Sequence, residues 1–214
     1  MARAAVLACA ALLISTAPAT HAQRTDTAAD LVSSWLLVGA ERDVASGQPR
    51  RVTGSRGLLV LDGAGNVFEF FTTPSAAPAN SAQPDPRRIF ADNGGFWGRY
   101  EAFPADGRID FAAEEGVSPS VHGLKFSRSY EVAGDRLIVT STNEPQAQRD
   151  VRLTWQRVPT VEGLSPAYRE VVGFWRHVEE SRVNTATGAV DNVRQRAPSV
   201  IVYTPGGFVG VHFP

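Results

Sequence analysis

The sequence predicts an all-β fold: an eight-stranded antiparallel barrel followed by extra C-terminal strands from an incomplete repeat. Three observations carry this reading. First, helical periodicity nearly vanishes after the N-terminal segment, and short apolar runs recur between turn residues instead. Second, two stretches alternate strictly. In LKFSRSYEV, Leu124, Phe126, Arg128, Tyr130 and Val132 share one face, and Lys125, Ser127, Ser129 and Glu131 share the other. In VRLTWQR, Val151, Leu153, Trp155 and Arg157 oppose Arg152, Thr154 and Gln156. One dry face and one wet face suit a curled sheet. Third, the hairpin GLLVLDGAGNVFEFF, Gly57 to Phe71, recurs as VIVYTPGGFVGVHF, Val200 to Phe213.

Taken in chain order, the first element is a leader. Arg3, the alanine-rich apolar run from Ala4 to Ile14 and the small residues around Thr20-His21-Ala22 predict a secretory signal over residues 1–22, cleaved after Ala22. The run is too short to stay as a span across a bilayer of about 30 Å. Val6-Leu7-Ala8-Cys9 resembles a lipoprotein box, but too few apolar residues precede Cys9 for a normal signal of that kind. The mature protein is therefore expected in the periplasm or secreted. Cys9, the only cysteine, leaves with the signal, so the mature chain has no disulfide and no thiol nucleophile. Lys and Arg number 21 against 22 Asp and Glu, which gives no electrostatic case for nucleic acid or an anionic membrane surface. No other long apolar run follows, so no integral membrane segment is expected after signal removal.

Eight strands are expected in the first unit: Ser34–Arg42, Gly57–Asp62, Asn66–Thr73, Phe96–Phe103, Arg108–Glu114, Leu124–Val132, Arg136–Thr142 and Val151–Val158. Ala105-Asp106-Gly107 and Ala133-Gly134-Asp135 mark tight turns, each with a residue that takes positive φ cheaply. The proline-rich stretch Thr73–Pro86 cannot build a strand and reads as a long surface loop or lid. Strands joined by tight turns can close on themselves, and closure removes both exposed edges.

Trp35 in SSWLLVGAERDVASG and Trp175 in VGFWRHVEESRVNTATG each open a strand, and each is followed by the recurring hairpin. The reading is a barrel over 31–159 and a partial second unit over 166–214, a copy of the first three strands from Val172 to Phe213. Three strands cannot close a barrel. Either the chain is a piece of a longer two-domain protein, or the extra strands pack on the first barrel, or they pair with another molecule to form a homo-oligomer.

The order of SSWLLVGAER, LLVLDGAGNVFEFF, GFWGRYEAF, SPSVHGLKFSRSYEVAGDRLIVTS and a closing LTWQR resembles the bacterial and fungal lipocalin-like domain family, over Leu31 to about Pro159. The resemblance implies an antiparallel barrel whose interior admits a small, mostly apolar molecule. It also implies that an Arg from the last strand stacks on a Trp of the first; those positions match Arg157 and Trp35. Members often carry a histidine in the strand that here reads GRIDFAAEE, and this chain has none there, so no role of that histidine transfers.

Six residues are candidate ligand contacts: Arg128, Tyr130, Phe126, Trp97, Phe70 and Trp155. Arg128 lies on the apolar face, where a charge needs a partner. It is an anchor for an anionic ligand head, half of an internal ion pair with Glu69, Glu101, Asp110 or Glu114, or an Arg at the barrel mouth. In WGRYE, either Trp97 points inward with Arg99 and Glu101, or Tyr100 does and both charges stay wet; wetting two charges favours the second. The aromatics suit a core as well as a ligand cage. His122 is a loop histidine, either exposed or a general base at the rim. No two histidines have metal-ligand spacing, so no metal and no cofactor is expected. Three functions remain: a module binding a small hydrophobic molecule; an isomerase-, cyclase- or lyase-type enzyme with Arg128 as oxyanion stabiliser, Glu101 or Glu114 as base and Tyr130 as proton donor; or a plain interaction or envelope-structure protein, for which the unfinished repeat with strand edges open to pairing argues.

Overall fold

The structure, a computed structural model, describes residues 27–74, 92–141, 150–194 and 198–213. The leader over 1–22 and most of the Thr73–Pro86 stretch lie outside them. A single helical turn, α1 (Ala28–Leu31), precedes β1 (Ser33–Arg42), β2 (Arg50–Val52), β3 (Arg56–Leu61), β4 (Asn66–Thr72), β5 (Asn93–Phe103), β6 (Arg108–Gly116), β7 (Lys125–Ala133), β8 (Arg136–Ser141) and β9 (Val151–Arg157). These strands form one sheet in the order β2-β1-β3-β4-β5-β6-β7-β8-β9, and β1 also pairs with β9 from Trp35↔Arg157 to Arg42↔Val151. That second pairing closes an eight-stranded antiparallel barrel, with β2 as an extra strand on the far end of β1. Gly107 and Gly134, in the two turns read from the sequence, adopt φ of 57° and 62°.

Alternate side chains of every wall strand fill the interior. Leu59, Leu61, Val67, Phe71, Phe96, Ile109, Phe111, Tyr130, Leu137, Val139, Leu153 and Trp155 belong to one buried cluster. One end is plugged. Leu31 and Trp35 are fully buried, and the Trp35 indole Nε1 donates to the Leu31 carbonyl at 3.0 Å. Arg157 lies over the Trp35 ring, its Cζ 4.2 Å from the centroid, and donates from Nη2 to the Asp30 carbonyl at 2.8 Å. The stacked pair expected at Trp35 and Arg157 is thus in place.

The C-terminal region holds α2 (Pro166–Val171), β10 (Gly173–His177), β11 (Glu180–Val183), β12 (Val190–Arg194), β13 (Ser199–Tyr203) and β14 (Val209–His212). Strands β10-β13-β14 form one sheet, and β11 and β12 form a separate ribbon. The three-stranded sheet keeps the register of β1-β3-β4. Trp35↔Leu59 and Leu59↔Glu69 in the barrel correspond to Trp175↔Ile201 and Ile201↔Val211. The turns match as well. The Asp62 amide donates to the Asn66 carbonyl at 3.1 Å and the Thr204 amide to the Phe208 carbonyl at 2.9 Å, with Gly65 and Gly207 both at φ 80°. Trp175 Nε1 donates to the Val171 carbonyl, four residues back, as Trp35 does to Leu31.

The sheet packs back to back on the barrel. Val60, Phe68 and Trp97, which point out of the wall, form a second buried cluster with Val200 and Val202, flanked by Leu58 and Phe174. Contact is close at Gly210, where a Cβ would fall 2.6 Å from the Phe68 ring. Across the same seam Arg176 pairs with Glu114 and lies 4.9 Å from the Trp97 ring centroid. Of the arrangements open from the sequence, the structure shows packing on the first barrel.

Candidate functional site

Inside the barrel, among the described residues, a charged pair stands out chemically. Arg128 on β7 and Glu69 on β4 are 3% and 2% exposed. The Arg128 Nη1 donates to Glu69 Oε1 at 2.8 Å and to Oε2 at 2.6 Å. Three phenylalanines surround the guanidinium, with ring centroids at 5.6 Å for Phe96, 5.3 Å for Phe111 and 5.1 Å for Phe126. Positive charge held near ring faces is favourable, and the carboxylate neutralises it. Of the four carboxylates considered as partners, Glu69 is the one that answers, because only its strand parity turns it inward.

Around this pair the void is small. Leu31, Leu59, Ile109, Arg128, Tyr130 and Val139 line a space of about 10 Å³, the room of one water-sized sphere. A barrel of this kind is compatible in general with a small-molecule cavity, but around this ion pair the described side chains leave room for little more than one water. Arg128 and Tyr130 line that space, Phe126 lies beside the guanidinium, and Trp155 belongs to the same buried cluster as Tyr130. Trp155 is fully buried, and its Nε1 has no hydrogen-bond partner among the described residues.

Two candidate contacts stand elsewhere. Phe70 points out of the wall and is 40% exposed, because Val67, Glu69 and Phe71 take the inward positions of β4. Trp97 also points outward, under the C-terminal sheet. Tyr100 packs against the interior cluster, while Arg99 and Glu101 are exposed, as the wetting of two charges favoured. The Tyr100 hydroxyl donates to the Asp62 carbonyl at 2.7 Å. Burial, with the nearby Asp62 charge adding to it, pushes the Tyr100 phenol up to about 12.

The proton-transfer set does not assemble. Glu101 is exposed on the outer face, and Glu114 is held outside by Arg176, so neither meets Arg128 and Tyr130. His122 lies at the surface with its Nδ1 2.9 Å from Glu115 Oε1. Among the described residues no cluster of three or more His, Cys, Asp or Glu could hold a metal ion.

The larger apolar concavity lies between the barrel and the C-terminal sheet. It is a cleft of about 260 Å³. Register-equivalent residues of the two sheets line it: Val32 and Val172, Ser34 and Phe174, Val60 and Val202, Leu61 and Tyr203. Ser33, Asp62 and Thr160 supply polar groups. The Asp62 carboxylate is already committed to its turn, accepting from the amides of Ala64 and Asn66 at 2.9 Å and 2.7 Å. A wider groove of about 420 Å³ on the outside of β5–β7 is lined by Arg99, Glu101, Asp110 and Lys125, charges of both signs.

Residue-by-residue reading of the sequence missed the cleft. The signal was there: LLVL at 58–61 and VIVY at 200–203 are continuous apolar runs, the mark of strands covered on both faces. No helix among the described residues is long and apolar enough to cross a membrane. The closed barrel with its extra strand is consistent with a lipocalin-like fold in general. The chain matches no protein-family model and no curated protein.

Proposed function

We propose that this chain is a binding module for a small, mostly apolar molecule, and that the molecule sits in the cleft between the barrel and the C-terminal sheet rather than inside the barrel. The observation that carries this reading is the contrast in space: about 260 Å³ between apolar walls in the cleft against about 10 Å³ beside the buried ion pair. Binding pockets for drug-sized ligands run from about 300 to 1,000 Å³, so the cleft suits a molecule at or below the small end of that range. Its walls would hold the ligand body, with hydroxyls of Ser33 and Thr160 beside it for a neutral polar head. The lipocalin-like family, the leader over 1–22 and export to the periplasm or medium belong to the same proposal. N-terminal sequencing of the exported protein should then start at Gln23.

The test is titration with a neutral fluorescent probe, N-phenyl-1-naphthylamine. Wild-type protein is expected to bind it saturably. Val32→Asp places a charge on a cleft wall at a side chain already 40% exposed. It should weaken binding about tenfold or more, since losing one apolar contact of this size is worth about 1.5–3 kcal/mol. Unchanged affinity in Val32→Asp overturns the cleft as the site.

A further inference from the structure

We propose that the outward face of the C-terminal sheet docks a second copy of this chain, forming a two-fold dimer. Trp175, Ile201, Val209, Val211 and Phe213 occupy this face. Trp175 is 49% exposed, Val209 49%, Val211 46% and Phe213 58%. By register, Trp175, Ile201, Val209 and Val211 stand where the barrel places its lining residues Trp35, Leu59, Val67 and Glu69. In the barrel that lining is covered by β5–β9. On the C-terminal sheet the same face is open among the described residues.

The identity of the occupant follows from charge. The barrel lining carries Glu69 and therefore requires the Arg128 that β7 brings to it. At the matching position the C-terminal sheet has Val211, and the face carries no Asp, Glu, Lys or Arg; His177, on the same face of β10, has its ring against Phe213 and its Nδ1 3.4 Å from Ser199 Oγ. Such a face needs no guanidinium from its cover. It is complementary to an uncharged apolar surface of its own width, which is what the same face of another copy offers.

Area and edges agree with that choice. Half-exposed Trp175 and Phe213 offer roughly 200 Å² between them, taking 150–250 Å² for a buried aromatic. With Val209, Val211 and the strand edges each copy contributes about 400–500 Å². Two copies then bury on the order of 1,000 Å², where specific interfaces begin. Strand β14 has β13 as its one neighbour among the described residues. A two-fold axis beside β14 would pair it antiparallel with its counterpart and satisfy the free edge.

The docking face and the cleft lie on different sides of the sheet, so dimerisation and probe binding are separable. Sedimentation equilibrium on the full chain, from micromolar to hundreds of micromolar, is expected to show a dimer that dissociates on dilution. Val211→Lys combined with Val209→Lys should raise the dissociation constant at least tenfold with the far-ultraviolet circular dichroism unchanged. Val38→Lys, at an apolar residue 52% exposed on the barrel wall, should leave it alone. A wild-type monomer at the highest concentration overturns the proposal, and so does a double-lysine variant that stays dimeric. Should the variant fold poorly, hydrogen exchange of the wild type decides. Amides of β14 must exchange more slowly at high protein concentration than at low, and equal rates overturn the dimer.

Discussion

Removing either half of the Glu69–Arg128 pair leaves the other charge buried among three phenylalanines, and an uncompensated interior charge is strongly destabilising. Glu69→Leu or Arg128→Met alone should therefore lose about 3–5 kcal/mol in urea unfolding. The double variant removes both charges, leaves apolar side chains of similar bulk, and should be more stable than either single. Losses that simply add in the double variant would mean the pair is not coupled. Tyr100 gives a second test at this scale. Its folded-state pKa is raised to about 12 by burial and Asp62. Below the ordinary phenol value of about 10 both folded and unfolded chains hold the proton, and stability is unaffected. Between there and 12 the unfolded chain ionises while the folded one does not, so stability falls as pH rises. Tyr100→Phe should lose about 1 kcal/mol at neutral pH with its hydrogen bond, yet show a flatter decline between pH 10 and 12. An identical slope in the variant would remove Tyr100 as the cause.

Elements were legible where one face is wet. The strands of β7 and β9 alternate without interruption, and all eight expected strands lie within a few residues of those observed. Two kinds of element escaped. Strand β2 is three residues long and begins with two exposed arginines, so it carries no apolar pattern; it exists because β1 continues beyond its pairing with β3 and offers that edge at Ala40–Arg42. The β11–β12 ribbon makes the C-terminal region five strands rather than the expected three, and exposed polar residues give β11 no apolar face. Side-chain direction was the harder problem. A bulge between Trp97 and Gly98 shifts the register of β5 against β6, and FEFF offers aromatics to both faces, so parity alone could not send Phe70 and Trp97 outward. The seam between sheet and barrel can be probed at Gly210. A methyl there would meet the Phe68 ring at 2.6 Å and Val202 at 2.8 Å. Gly210→Ala should lose about 1–3 kcal/mol through overpacking. Gly63→Ala, where nothing lies within 4 Å, should stay within about 0.5 kcal/mol of wild type in the same urea titration. Equal stabilities would show that the seam gives way freely.

On the scale of the whole molecule the two sheets are unequal partners. The barrel closes on itself and owns a cluster of 18 buried residues. Among the described residues the C-terminal sheet has no buried cluster of its own; Val200 and Val202 are its members of the shared five-residue cluster. Its remaining ties, such as the half-exposed Arg176–Glu114 pair, are worth little in water. Stability should therefore be graded, with the sheet opening before the barrel. Opening uncovers Val60, Phe68 and Trp97 on the barrel wall, a patch that would attract other apolar surfaces. In native-state hydrogen exchange, amides of β13 should open at a lower free energy than those of β4, although both strands sit in the middle of a three-strand ladder of the same register. Adding modest urea should lower the β13 value first, and an apolar dye should bind most strongly at the concentration where β13 has opened and β4 has not. Identical opening energies and a single dye-silent transition would mean that the back-to-back seam, and not barrel closure, governs the cooperativity of the chain.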